Sequence, residues 1–252
     1  MNRSSIYHSG QVKAEKRFSQ GGSILASYTW AKLISDTDTL TAWLEPSGGL
    51  GVQNSNNLRL ERSLANYDTS HRLVISYALD LPFGKGQKFL AGANGAAGKI
   101  ISGWVVNGAS TFQSGNPLPV STAVNLTNSF GGGSRPNSNG QSPRLTGPAQ
   151  ARLSRWFDTS TLSAPPAFTF GNLARNLSDV RSAGINNFDF AIVKNTQMSE
   201  RVGLQFRTEI FNLFNRVQFS PPGLGLGTAQ FGVVSGQYNN PRLVQFALRL
   251  IF

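Results

Sequence analysis

Few residues in this chain have the types and spacing for chemistry, and those few do not converge. Asp68, Thr69, Ser70 and His71 supply the side chains of a hydrolase triad. Neighbours on one extended segment alternate in direction and cannot meet, so the run reads as a junction between loop and strand. Gly223, Gly225 and Gly227 follow Pro221 and Pro222. They lack the preceding strand and following helix that a dinucleotide fingerprint requires, and they read as loop. Asp36, Asp38 and Glu45 carry the oxygen ligands calcium favours, without the spacing of a calcium loop. Cysteine is absent, which removes disulfides, thiolate metal sites and cysteine nucleophiles. With only His8 and His71, a histidine metal centre is disfavoured as well. The expectation is a protein that is not an enzyme and implies no metal or cofactor.

What remains is binding chemistry. Arg207 and Glu209, two residues apart on a strand-like segment with Gln205, share one side of it. Arg72 and Asp189 hold the corresponding polar side of two other segments. Trp43, Trp156 and Phe157 lie in long loops, where they could stack against a sugar or another ligand, although packing within the loops is the stronger reading.

The elements that must position these groups are strands. In RLVQFALRLIF, Val244, Phe246, Leu248, Leu250 and Phe252 point one way, and Leu243, Gln245, Ala247, Arg249 and Ile251 the other. VGLQFRTEI sets Val202, Leu204, Phe206, Thr208 and Ile210 against Gly203, Gln205, Arg207 and Glu209. HRLVISYALDL sets Leu73, Ile75, Tyr77 and Leu79 against Arg72, Val74, Ser76, Ala78 and Asp80. SILASYTW, WVVNGASTFQ, NNFDFAIV and QVKAEKRF follow the same rule with less contrast. In the last of these Lys16 interrupts the apolar side, close enough to a strand end to snorkel. The total is about seven strands, each near the roughly 9–11 residues that a tilted membrane strand needs.

Their connections alternate in length. SQGG and a stretch around 197–200 are short, whereas 35–69, 114–186 and 215–241 are long and rich in Gly, Pro, Asn and Ser. Short turns at one end and long loops at the other is the layout of an outer-membrane barrel. The connection 82–103 is longer than that scheme expects on its side. Hidden strands around PLPVSTAV or FGVVSG are candidates for an eighth.

A soluble β-sandwich that binds carbohydrate also alternates. Two features favour the membrane. The middle of each apolar side is free of charge, where Lys or Arg costs about 2–4 kcal/mol at the bilayer midplane. Trp30, Tyr28, Trp104, Phe83, Phe89 and Phe252 fall at or near strand ends, as aromatic girdles do. Charged residues make up 14% of the 252 residues, below the roughly 25% usual for soluble domains. The net charge of +11 is spread along the chain and marks no nucleic-acid surface. MNRSSIYHSGQVKAEKRF has no apolar run of the secretory-signal kind.

The runs SYTWAKLISD, LERSLANYDTSHRLVISYALDLPFGKGQKF, SGWVVNGASTFQSGNPLPV, RWFDTSTL, RTEIFNLFNRVQF and PRLVQFALRLIF resemble the C-terminal barrel of TonB-dependent outer-membrane receptors. The likeness is to the Oar-like group, which often carries a carboxypeptidase-regulatory-like domain. The most specific signals are Glu209–Asn215 and the terminal run Phe246, Leu248, Leu250 and Phe252. The resemblance implies an all-β, antiparallel transmembrane β-barrel segment with long extracellular loops, about seven strands of a roughly 22-stranded barrel. It places the plug domain, the TonB-contacting box and the signal peptide upstream of residues 1–252 and the protein in the cell outer membrane. It also implies outer-membrane lipid as surroundings and reading of Phe252 by the barrel-assembly machinery. The TonB complex is reached only through the N-terminal parts, and the ligand is a siderophore, oligosaccharide or peptide. A barrel that only anchors adhesive or structural loops is the alternative function.

Overall fold

The computed structural model describes residues 4–19, 21–37, 51–129 and 134–252. Seven long strands form one antiparallel sheet in chain order. They are β1 (Ser5–Arg17), β2 (Gly22–Ser35), β3 (His71–Asp80), β4 (Trp104–Gln113), β5 (Ile185–Gln197), β6 (Gly203–Phe211) and β7 (Leu243–Ile251). Each pairs with its sequence neighbours, and among the described residues β1 pairs only with β2 and β7 only with β6. The sheet is therefore open at both edges.

Register makes the alternation of the separate strands into a property of the whole sheet. Lys16 opposes Ile24, which opposes Tyr77, then Gly108, Phe190, Ile210 and Val244. A second row runs Leu79, Val106, Ile192, Thr208 and Phe246. Cross-strand partners share a face, so every apolar side expected from the sequence falls on one face of the sheet. The first row begins near the end of β1 at Arg17 and finishes near the opposite end of the sheet, at the start of β7. This drift is the stagger of strands tilted for barrel closure. Gly108 is required where it stands: a Cβ there would lie 2.4 Å from the Tyr77 ring, which covers the position.

All short connections meet at one end of the sheet. The β1–β2 and β5–β6 turns lie there, together with residues 81–103, which join β3 to β4 through a short helix, α1 (Gly95–Ile101). The three long loops, 36–70, 114–184 and 212–242, leave the opposite end. No eighth long strand lies within their described residues. Ser121–Thr122, inside PLPVSTAV, pairs in parallel with Gly225–Leu226 for two residues. FGVVSG lies in loop, with Val234 buried. No described helix is long and apolar enough to cross a membrane.

The buried apolar core lies among the loops, not against the sheet. Leu118, Val120, Trp156, Phe157, Leu162, Leu173, Leu177, Val180 and Val234 pack together. By contrast Phe246, Leu248 and Leu250 stand exposed on the apolar face.

Candidate ligand vestibule

The long loops fold into a cap, and buried polar pairs tie the first loop to the second. Glu61 Oε1 meets Arg135 Nη2 at 2.6 Å, with both side chains 0% exposed. Arg135 also donates to Leu60 O, and Gln53 ties these two segments to a third. Its Nε2 donates to Gly171 O at 2.8 Å, while its Oε1 accepts from Arg135 N at 2.7 Å. Burial draws the Arg135 guanidinium below its ordinary pKa, and the Glu61 carboxylate opposes that. Asp68 performs the second tie. Its carboxylate accepts from Leu33 N on β2 at 2.6 Å and from Arg181 Nη2 at 2.5 Å, and Arg181 Nη1 reaches Gly115 O. The Asp68–His71 run is thus a structural junction. His71 Nδ1 lies 2.8 Å from Tyr28 Oη.

The run Glu209–Asn215 closes the base of the third loop. Asn212 and Asn215 adopt left-handed backbone, φ 53° and 50°, which asparagine tolerates better than most residues. Asn212 accepts from Arg216 N and donates to Asn240 O; Asn215 accepts from Arg242 N. Both ends of the loop are therefore held by two side chains. Asp189 Oδ1 accepts from Asn212 N at 2.9 Å, which fixes the turn to β5. Phe188 packs edge-on against Phe112 and Phe214, with centroids 5.3 and 4.9 Å away.

Beneath the cap lies a cavity of about 1710 Å³, bounded by all three loops and by the sheet's upper rim. Thr111, Asn187, Asp189 and Phe211 line it from the polar face. Arg144, Arg152, Arg181, Arg216 and Lys32 also line it, against Asp179 and Asp189. Cations outnumber carboxylates, and the cavity field favours an acidic occupant.

Gln205, Arg207, Glu209, Arg72 and Asp189 share the polar face in the observed register. Along β6 three of them form a chain of hydrogen bonds. Gln205 donates to Asn195 Oδ1 and accepts from Arg207; Arg207 Nη1 donates to Glu209 Oε1 at 3.3 Å, and Gln245 donates to Glu209 Oε2. Arg72 lies apart, opposite Thr29 and Gln113.

The two described loop aromatics are buried, in line with packing, the stronger of their two readings. Phe157 is 0% exposed and packs edge-on against Phe231, while Trp156 is 2% exposed beneath the Arg152 guanidinium at 4.6 Å. Trp156 Nε1 donates to Arg181 O. Trp156 borders the cavity, yet both rings are almost wholly buried and serve packing. Trp43, Asp38 and Glu45 lie outside the described residues; the Asp36 carboxylate accepts from Ser4 N. Sequence reasoning missed Glu61, Arg135 and Arg181, which carry no local periodicity and find partners only through the fold.

A single staggered antiparallel sheet, apolar on one face and polar on the other, with short turns below and long loops above, defines a transmembrane barrel protein. The chain belongs to the outer membrane beta barrel domain family, whose model matches residues 1–245. No curated protein and no solved structure matches it. The family places the protein in the outer membrane, where barrels of this layout carry long loops outside, short turns on the periplasmic side and an apolar outer face.

Proposed function

We propose that this sheet is the C-terminal part of the barrel of a TonB-dependent receptor that takes up a ligand captured by its extracellular loops. The observation that carries the reading is the vestibule. The loops fold back over the rim of the polar face and border an open-sided cavity there. A lumen-facing site is what uptake needs, whereas an adhesin gains from loops that project outward. The open edges at β1 and β7 support a larger barrel, because lipid satisfies no unpaired backbone group. Among siderophores, oligosaccharides and peptides, the cationic lining favours acidic ones.

The coding sequence upstream of Met1 tests the reading. A plug domain and a TonB-contacting box support uptake; their absence favours a barrel that anchors surface loops. In the complete receptor, TonB-dependent accumulation of the ligand is the functional assay. Phe252, at 93% exposure, continues the lipid-facing run of Phe246, Leu248 and Leu250. Its deletion should lower outer-membrane levels if the assembly machinery reads it, and unchanged levels refute that role.

A further inference from the structure

The periplasmic connection between β3 and β4 has an orientation that the barrel layout alone does not require. Two residues of the lipid-facing side hold its helix. Trp104 and Lys194 are register partners on the apolar face. Trp104 Nε1 donates to Ile100 O at 2.9 Å, and Lys194 Nζ donates to Lys99 O at 2.7 Å and also to Ser102 O. The Lys194 ammonium lies 5.7 Å from the centre of the Trp104 ring. The C-terminus of α1 is therefore tethered to the outer side of the strand ends, where lipid begins, and not beneath the lumen.

The rest of the connection matches that position. Ile100 is 68% and Leu90 59% exposed, and Phe83 and Phe89, with ring centroids 5.9 Å apart, are exposed in the same connection. Lys85, Lys88 and Lys99 are exposed in the same segment, and no Asp or Glu occurs between Leu81 and Gly103. Uncovered apolar side chains and uncompensated lysines at a membrane edge are the composition of an interfacial anchor, with the apolar groups at the acyl boundary and the cations among headgroups.

We propose that residues 82–103 form an anchor for the periplasmic leaflet that binds anionic phospholipid headgroups through Lys85, Lys88 and Lys99 and seats Leu90 and Ile100 in the acyl boundary. The anchor rests on the lipid-facing assignment of the sheet, and the test separates the two. Residues 1–252 contain no cysteine, so one introduced thiol is unique among them. A bimane label is placed at Ile100→Cys, at Leu248→Cys on the lipid-facing side and at Gln205→Cys on the lumen side. Each label is carried by the complete receptor, with any cysteine outside residues 1–252 replaced, and the receptor is reconstituted in vesicles of phosphatidylcholine and phosphatidylglycerol containing nitroxide-labelled lipid of either kind.

The expected result is quenching at 248 and 100 but not at 205, with position 100 favouring the labelled anionic lipid. Replacing Lys85, Lys88 and Lys99 by Gln should abolish that preference and leave position 248 unchanged. Quenching at 248 with none at 100 overturns the anchor while the barrel face stands. Equal quenching of position 100 by both lipids overturns the anionic assignment. No quenching at 248 overturns the lipid-facing assignment on which the anchor rests.

Discussion

Placing an arginine on each of two adjacent residues of β7 tests the facing of the sheet. Leu248 opposes Phe206 on the lipid-facing side, and Ala247 opposes Arg207 on the lumen side. Both lie within one residue of the middle of β7, so they differ little in depth. For Leu248→Arg the cost is that of a guanidinium near the bilayer midplane, about 2–4 kcal/mol. Tenfold per 1.4 kcal/mol makes this roughly a 30- to 700-fold fall in the folding equilibrium. For Ala247→Arg the new charge enters a solvated polar face beside Arg207, Arg249, Gln245 and Glu209, where screened repulsion amounts to about 1 kcal/mol or less. The assay is urea titration of the complete receptor carrying each variant, in lipid vesicles, followed by heat-modifiable gel mobility. Destabilisation of equal size, or a larger loss for Ala247→Arg, refutes the register.

The cap supplies three further predictions. Glu61→Gln or Arg135→Met alone should make the loops protease-sensitive, with a loss of about 3–5 kcal/mol, because each strands a buried charge. The double replacement by Met should be milder than either single change, and limited proteolysis distinguishes the outcomes. Asn212→Gly should loosen the third loop by removing its hydrogen bonds, and Asn212→Ala should loosen it further by about 1–2 kcal/mol because alanine resists the left-handed backbone. Hydrogen exchange across residues 212–242 reads this order. Hydrogen bonds from the Ser160 hydroxyl and backbone N–H, with Arg155 adding to them, hold the Asp158 carboxyl below the ordinary aspartate range. A depressed carboxylate contributes stability above its unfolded pKa and loses it as pH falls through the folded one. The turn at Thr159–Thr161 should therefore survive into the range where free aspartate protonates, and a carboxyl titration by NMR checks it.

The strands were legible because a half-lipid, half-water environment writes its period directly into each segment. WVVNGASTFQ coincides with β4 for that reason. Where partner strands set the length instead, the period is silent. β1 starts at Ser5, six residues before the first alternating residue, because Ser5–Gly10 pairs with Trp30–Ser35 of β2. That part of β2 is in turn held by Ser63–Leu64 and by Asp68. The vestibule was not legible at all. Its ties join Glu61 to Arg135, 74 residues away, and Asp68 to Arg181, 113 away. Nothing in the neighbourhood of an isolated arginine states which distant carboxylate it meets. The aromatic pair shows a milder limit: a Trp–Phe step in a loop reads first as packing and second as a ligand platform, and burial agrees with the first reading.

The location of that core also bears on the rival that alternation could not dismiss. A soluble sandwich hides the apolar face of one sheet under another about 10 Å away. Here no second sheet among the described residues covers that face, and the largest apolar side chains of β7 are left open while the loops hold the buried ones. In water so extended an apolar face opposes folding; in lipid it costs nothing and orders the sheet. The two halves of the molecule then obey different solvents. The sheet is positioned by the bilayer and needs no core, while the cap faces water and builds one of its own from loop residues, locked by buried ion pairs. Such a cap holds its cavity as a preformed shape above the lumen face. Disrupting Glu61 or Arg135 should therefore abolish ligand capture without unfolding the lipid-held sheet.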